Sequence, residues 1–338
     1  MVDVLRLQDE AGVDIVTDGE QRRDNFFSFV AEKLDGVKLM TLAEMLDVVE
    51  DRQGFERILQ TLDVPAYAIS NATCFGRIER RQPLAVDELD FVKSQTSRPV
   101  KVPLPGPYLL TRAMYVPSVS SPAYASKEEL GEDVVRVLRA EVKELISHGA
   151  AFIQFDEPVL SELVFTQGQT RTFMCAALAA RKDPAEELEF AVTLMNQVLD
   201  GVEGVRTGVH VCRGNWSQDE STLLSGSYHP LRPYLERMNV RQLVLEYATE
   251  RAGDLLPFPG KELGLGVVNP RTIMVESQED VRRSIERALQ MYAPEQLYLN
   301  PDCGFATFSN RAVNDSDIAN QKLKTVSQAA HTMRCRLA

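Results

Sequence analysis

Cysteine is scarce in this chain, with five cysteines among 338 residues. So few cysteines, and an odd number of them, argue against the disulfide framework of small secreted proteins. Long apolar runs are also missing, since no window reaches the ~18 to 20 consecutive apolar residues that a membrane helix needs. The first residues lack the basic and apolar blocks of a signal peptide. These absences predict a cytoplasmic protein with no membrane partner.

Basic residues are outnumbered, with 37 lysines and arginines against 49 aspartates and glutamates, and the net charge is −12. The acidic excess is spread along the chain, so neither a nucleic-acid footprint nor a polybasic membrane patch is expected. Hydrophobic residues make up 44% of the chain and charged residues 25%, which is typical of folded globular proteins. We therefore expect a small-molecule substrate and no nucleic acid.

Short apolar runs alternate with longer segments of helical periodicity, such as 126–148 and 183–199. This alternation is typical of βα units around a parallel sheet. Eight runs are predicted strands: residues 13–17, 67–73, 100–104, 152–155, 207–211, 242–245, 263–268 and 297–299. The sequence has no Gly-x-Gly-x-x-Gly after its first predicted strand, so a (β/α)8 TIM barrel is favoured over a doubly wound dinucleotide fold.

The chain opens on a helical pattern at residues 2–11, with no strand before it. Either residues 67–73 complete the barrel or the barrel lacks its first strand. Internal repeats and linker-like segments are also missing. A single barrel domain spanning residues 1–338 is therefore predicted.

Four side chains suited to metal binding stand at the carboxyl ends of predicted strands. His210 and Cys212 are two apart on one strand and share a face, while Glu246 and Cys303 close two other strands. In a barrel such strand ends meet at one site. An imidazole, two thiols and a carboxylate match the ligands of a tetrahedral zinc site. A His-x-Cys pair is often simple packing, but Cys303 within Asn-Pro-Asp-Cys-Gly favours ligation.

These segments resemble, in their order along the chain, the C-terminal catalytic barrel of cobalamin-independent methionine synthase. The matching motifs are Gln-Phe-Asp-Glu-Pro at 154–158, Val-His-Val-Cys at 209–212, Leu-Glu at 245–246 and Asn-Pro-Asp-Cys-Gly at 300–304. The resemblance continues in Asp-Gly-Glu at 18–20, with Arg23 and Asp24, and in Gly106-Pro107. It covers nearly the whole chain.

The resemblance implies a zinc-dependent methyltransferase that converts homocysteine to methionine. It implies a zinc ion held by His210, Cys212, Glu246 and Cys303, which activates the substrate thiol. It also implies that Asp156 and Glu20 bind the amino group of homocysteine. No catalytic residue beyond the metal site is assigned. We expect Cys74, Cys175 and Cys335 to be structural.

The sequence departs from this family at two places. The family carries a histidine for proton transfer to the methyl donor on the strand matching residues 264–269, whereas this chain reads Gly-Val-Val-Asn-Pro-Arg at 266–271. The family's first strand, with a Gly-Ser motif, would lie upstream of Met1. The methyl donor therefore stays open between methyltetrahydrofolate and a methyl corrinoid.

Two other functions fit parts of the pattern. An enzyme similar to epoxyalkane:coenzyme M transferase would keep the zinc-activated thiol, and Arg213 and Arg271 would suit its sulfonate. Asp156 and Glu20 instead suit an ammonium group, which favours homocysteine. A third interpretation is a binding barrel that lacks a complete donor pocket, or one that needs a partner subunit.

Overall fold

The computed structural model describes residues 1–49, 51–61, 70–165, 183–309 and 311–337. Its strands are β1 (Leu34–Thr41), β2 (Ser70–Arg80), β3 (Lys101–Pro105), β4 (Phe152–Asp156), β5 (Arg206–Val211), β6 (Gln242–Leu245), β7 (Glu262–Val268), β8 (Leu297–Pro301), β9 (Ala306–Phe308) and β10 (Arg311–Ala312). Its α-helices are α1 (Val2–Glu10), α2 (Val30–Lys33), α3 (Leu42–Met45), α4 (Arg52–Thr61), α5 (Val86–Gln95), α6 (Pro107–Met114), α7 (Pro117–Ser120), α8 (Lys127–Ser147), α9 (Val159–Phe165), α10 (Pro184–Leu199), α11 (Arg232–Leu235), α12 (Gln278–Ala288) and α13 (Ser316–Leu337). Short 3₁₀ turns lie at Glu220–Thr222, Glu250–Ala252 and Pro294–Gln296.

Strands β3 to β8 form one parallel sheet in sequential order, and six of the predicted strands are confirmed to within two residues at each end. Every residue of β4 and β7 is buried, as expected for parallel strands that are covered on both faces. The register pairs Asp156 at the end of β4 with His210 of β5. The polar strand ends therefore meet at one edge of an α/β fold.

The two long predicted helices are present, and their first residues explain where they begin. The Ser126 hydroxyl accepts a hydrogen bond from the Glu129 N–H at 3.3 Å at the start of α8. Asp183 accepts the Ala185 N–H at 2.8 Å at the start of α10, where Pro184 is the first helical residue. Both are common N-terminal capping arrangements. These helices bury their apolar faces against the rest of the fold.

Two of the eight predicted strands are different in the structure. In residues 13–17, Val16 alone forms a β-bridge, to Val100 beside β3. Of residues 67–73, the first three lie outside the described residues. Residues 70–73 belong to β2, which pairs antiparallel with β1 in a separate sheet, so they do not complete the barrel as predicted. The antiparallel partner β1 was not predicted. Its main-chain hydrogen bonds are made with β2.

Strand β8 is an edge of the parallel sheet within the described residues, since its one strand partner there is β7. Residues of β8 and of 13–17 line one cavity of about 980 Å³, which also reaches between α1 and α13. The apolar residues that these elements place on the cavity wall include Leu7, Ile15, Leu297, Leu299, Val326 and Met333. The described parallel sheet therefore has six strands, and its β8 edge pairs with no further described strand.

Among the described residues, no helix is both long enough and apolar enough to cross a membrane.

Candidate metal centre and substrate pocket

Three of the four predicted metal-ligating side chains come together at the carboxyl end of the sheet. His210 lies on β5, Cys212 directly follows it, and Cys303 lies two residues beyond β8. One ligand atom from each lies within 4.8 Å of the other two. Two thiolates on one tetrahedral zinc ion are about 3.8 Å apart, given Zn–S bonds of about 2.3 Å. The spacing and the donor types both fit such an ion.

The imidazole of His210 is held in one orientation by the neighbouring strand. Its Nδ1 lies 3.1 Å from the carbonyl oxygen of Val244 on β6. Because a carbonyl can only accept, Nδ1 carries a proton, and Nε2 is the nitrogen that can bind a metal once it has lost its own proton. A ligating histidine is oriented in this way in many metal sites, where the second ring nitrogen donates to a carbonyl or carboxylate.

The two thiols shift each other's pKa in opposite directions. A hydrogen bond from Cys303 lowers the pKa of Cys212 well below its ordinary value, and the hydrogen bond to His210 acts in the same direction. Holding the Cys212 thiolate raises the pKa of Cys303 well above its ordinary value. The hydrogen bond to Cys212 also raises the pKa of His210 to about 9, although burial opposes the rise. Metal binding must therefore remove a proton from both Cys303 and His210.

Glu246, the fourth predicted ligand, does not join this group within the described residues. It follows β6 and is almost completely buried. Its Oε1 lies 3.5 Å from Arg271 Nη1, and its Oε2 lies 3.3 Å from Arg251 Nη2 and 3.9 Å from Arg213 Nη1. The carboxylate therefore faces guanidinium groups.

Arg213 and Arg271 are neither solvated nor placed to receive a substrate sulfonate. Both are buried, and neither is among the described residues that line the large cavity. The Arg213 guanidinium stacks on the Tyr228 ring, 3.8 Å from its centroid. The suggestion that these arginines bind a sulfonated thiol is therefore not supported by their positions.

The predicted amino-group ligands Glu20 and Asp156 line the same cavity as the metal triad. Glu20 has a positive φ of 54° and pairs with Arg23 at 2.9 Å. Asp156 accepts a hydrogen bond from Gln154 Nε2 at 2.8 Å. Gln154 in turn accepts one from Lys101 Nζ at 3.1 Å. A row of polar side chains thus leads from the inside of the sheet to the metal triad.

Burial raises the pKa values of both carboxyl groups. Burial raises the pKa of Glu20 to about 8 against the opposing effect of Arg23, and the nearby Asp156 adds to the rise. Burial also raises the pKa of Asp156, although His210 and Gln154 oppose the shift. A bound ammonium ion would oppose both shifts and favour the ionised carboxylates.

No separate role was predicted from the sequence for Gln154 or Lys101, and no role was predicted for Arg251. The two former residues stand on strands at positions that face the cavity, so the alternation along β3 and β4 could have selected them. Arg251 lies in a loop with no distinctive pattern. Cys74 is buried and donates to the Gly76 carbonyl at 2.9 Å, and Cys335 is exposed on α13. Cys175 lies outside the described residues.

The sequence matches a known protein family over nearly its whole length. The family described as the catalytic domain of cobalamin-independent synthase matches residues 1–331. A methionine synthase from Thermococcus kodakarensis is 32% identical, over 100% of this chain and 83% of the relative. One from Pyrococcus furiosus is 30% identical, over 99% of this chain and 82% of the relative.

Solved structures give the same result. A B12-independent methionine synthase from Shewanella sp. W3-18-1, in complex with selenomethionine, superposes with a TM-score of 0.73 at 25% identity. That match covers 99% of this chain and 86% of the Shewanella chain. A putative vitamin-B12-independent methionine synthase from Listeria monocytogenes has the same fold, with a TM-score of 0.67 at 20% identity, covering 98% of this chain and 85% of that one.

Proposed function

The chain belongs to the cobalamin-independent methionine synthase family of methyltransferases, and from that membership we propose that it is a zinc-dependent thiol S-methyltransferase that converts homocysteine to methionine. The observation that carries the proposal is that the His210, Cys212 and Cys303 triad opens into the same cavity as Glu20 and Asp156. A thiol and an ammonium group on one small molecule can therefore be bound together.

His210, Cys212 and Cys303 would hold a zinc ion, which would supply the charge that lowers the pKa of a substrate thiol at neutral pH. Two residues of the chain hold the metal-binding atoms in place. His210 presents Nε2 because Val244 accepts the Nδ1 proton, and Cys212 is held as a thiolate by Cys303.

Asp156 and Glu20 orient the substrate in this proposal. The ammonium of homocysteine lies between the two carboxylates, and their repulsion is offset by its charge. Gln154 holds the Asp156 carboxylate in place. The homocysteine thiol then points toward the triad.

The proposed fold of the functional unit is a (β/α)8-type barrel in one domain, residues 1–338, with its first strand not formed. The open side between residues 13–17 and β8 supports this assignment, because both border the same cavity. A closed barrel would have one more strand there.

The direct test is to incubate the zinc-loaded protein with homocysteine and a panel of methyl donors, following the loss of free thiol and the formation of methionine. Methionine formation supports the proposal. Thiol loss only with coenzyme M and an epoxide would favour the epoxide-opening alternative. Stoichiometric thiol binding with no turnover for any donor would favour a binding barrel.

Replacing Asp156 by Asn should weaken homocysteine binding by about one to two orders of magnitude and leave zinc in place. The substitution keeps the shape but removes the charge that pairs with the ammonium, and a charged hydrogen bond is worth roughly 1.5 to 3 kcal/mol. Calorimetric titration measures the affinity. Asp90→Asn, at a surface carboxylate that contacts His148, is the matched control. An unchanged homocysteine affinity in Asp156→Asn would point to a substrate without an amino group.

The affinity for the product L-methionine should rise with pH between about pH 6 and 8. Glu20 has its pKa raised to about 8 by burial, so it must lose a proton before it can pair with an ammonium, and the affinity can rise by up to about tenfold per pH unit. Methionine has no thiol proton to confuse the measurement. The rise should be smaller in Glu20→Gln, and equal slopes for the two proteins would contradict the assignment of Glu20.

A further inference from the structure

Three polar side chains follow one another along the inner face of the sheet, below the place proposed for the substrate ammonium. Lys101 on β3 and Gln154 and Asp156 on β4 all line the cavity. Residues two apart on a strand share a face, and the register places Pro103, two residues after Lys101, beside Gln154. Gln154 and Asp156 are each more than nine-tenths buried. The three side chains therefore form a column that ends at a substrate carboxylate.

The hydrogen bonds in this column run in one direction. Lys101 Nζ donates to Gln154 Oε1 at 3.1 Å, and Gln154 Nε2 donates to Asp156 Oδ1 at 2.8 Å. An ammonium group can only donate and a carboxylate can only accept, whereas an amide side chain does both. Lys101 and Asp156 together therefore allow only one orientation of the Gln154 amide.

The reverse orientation of the Gln154 amide is unfavourable at both of its ends. Its NH₂ group would then face the Lys101 ammonium, and its oxygen would face the Asp156 carboxylate. Both contacts are repulsive, and water screens them little at buried positions. The lysine thus keeps Nε2 directed at Asp156 Oδ1, which leaves Oδ2 for the ammonium of a substrate.

The ammonium of Lys101 is itself held in place. Its Nζ lies 5.6 Å from the centroid of the Phe152 ring, within the range of a cation–π interaction. Burial lowers the pKa of Lys101, and the charges of Asp156 and Glu20 oppose the shift. Lys101 is therefore fixed between an aromatic ring and an amide oxygen, close to both substrate carboxylates.

Building on the proposed function, we infer that Lys101 is a positioning residue for the substrate ammonium, acting through the amide of Gln154 on the carboxylate of Asp156. Lys101 fixes the direction of the amide, and the amide fixes the carboxylate. The charge of Lys101 by itself would repel an ammonium. Loss of positioning and loss of repulsion therefore change the affinity in opposite directions when the lysine is removed.

Lys101→Met should weaken the binding of L-methionine to the zinc-loaded protein by about tenfold, close to the loss of one hydrogen bond. Calorimetric titration measures this affinity, and the zinc affinity should stay at the wild-type level. Lys93→Met, at an exposed lysine of α5 that donates to the His148 carbonyl, is the matched control. Unchanged or tighter binding of L-methionine would overturn the inference. An equal loss of zinc affinity would also overturn it, because it would show a general loosening of the sheet.

A double variant and a ligand analogue separate action through Gln154 from direct contact with the substrate. In Gln154→Leu protein, adding Lys101→Met should change the L-methionine affinity by less than about twofold, because the two residues act as one unit. An undiminished effect there would contradict the inference.

The decarboxylated analogue of methionine keeps the ammonium and the thioether. Lys101→Met should weaken its binding as much as that of L-methionine, and Lys101→Arg, which keeps a cation that only donates, should restore most of the affinity for both ligands. A loss confined to L-methionine would show that Lys101 binds the substrate carboxylate, and the inference would then be wrong.

A crystal structure of the wild type with zinc and L-methionine needs no variant to fold. The ammonium within about 3.2 Å of Asp156, with Gln154 still between Asp156 and Lys101, supports the inference. Lys101 Nζ at the methionine carboxylate overturns it. The two proposals fail separately. If the wild type binds no L-methionine, the proposed function fails. If it binds L-methionine and Lys101→Met binds it equally well, only the present inference fails.

Discussion

Cys303→Ser and Cys212→Ser should each lower the zinc affinity of the chain by at least about 10²-fold and abolish thiol activation. Structural zinc sites with four protein ligands bind with about 10 to 16 kcal/mol, which is roughly 3 kcal/mol per ligand. A serine hydroxyl is a much poorer zinc ligand than a thiolate, so most of the binding free energy that one ligand contributes is lost. Chelator competition measures the affinity, and metal analysis of the purified wild type should give close to one zinc per chain.

The other described cysteines provide matched controls for these variants. Cys74 is buried and donates to the Gly76 carbonyl, a bond that a serine hydroxyl can also make. Cys335 is exposed near the end of α13. Cys74→Ser and Cys335→Ser should therefore keep wild-type zinc affinity. Equal zinc retention in all four variants would mean that the metal lies elsewhere or is not bound.

The triad could be predicted from the sequence because the prediction needs only the order of the strands and the residues that follow them. Parallel strands in sequential order bring their carboxyl ends to one edge, so His210, Cys212 and Cys303 could be placed together from the sequence. The rule does not say which way a side chain turns. Glu246 also stands at a strand end, but Arg251 in its own loop and Arg271 after the next strand determine its position. Such contacts between loops leave no periodic signal.

The antiparallel pair of β1 and β2 was not predicted, and the reason is local. The apolar alternation of β1 is interrupted where the register shifts between Asp35 and Val37. Gly36 has a φ of 77° there, and a Cβ on it would lie 2.3 Å from the Arg77 carbonyl oxygen. A strand with such a bulge does not show a clean period of two. Without a predicted β1, residues 67–73 had no visible partner except the barrel.

The partial strand at residues 13–17 follows from its surroundings. Val16 makes two main-chain hydrogen bonds beside β3, with Pro99 and Lys101. Its neighbours Ile15 and Thr17 line the cavity, and within the described residues this segment forms no bridge other than the one to Val100 beside β3. Residues such as Asp14 therefore gain little from extended pairing. A sequence pattern reports apolar character, whereas strand formation also needs a partner on the correct side.

Turnover with methyltetrahydrofolate should be about 10² to 10⁴-fold slower than with a methyl corrinoid. The leaving amine of methylfolate must be protonated as the methyl group departs, and general acid catalysis of this kind contributes about that factor. The family histidine is missing from the 266–271 segment. A methyl corrinoid has a leaving group that needs no proton, so it depends only on the thiolate. Both donors are compared at equal concentration with zinc-loaded protein and homocysteine.

Arg271 stands in the segment that lacks the histidine, but its position rules it out as the missing acid. An arginine does not release its proton in proteins, and this guanidinium faces Glu246 and Asp302 instead of the cavity. Efficient methylfolate turnover would therefore require another proton donor on the cavity wall. Glu20 is not that donor, because the ammonium of the bound substrate favours its ionised form. Glu20→Gln should therefore slow turnover with methylfolate and with the corrinoid by similar factors, and a much larger loss with methylfolate alone would contradict its assignment to substrate binding.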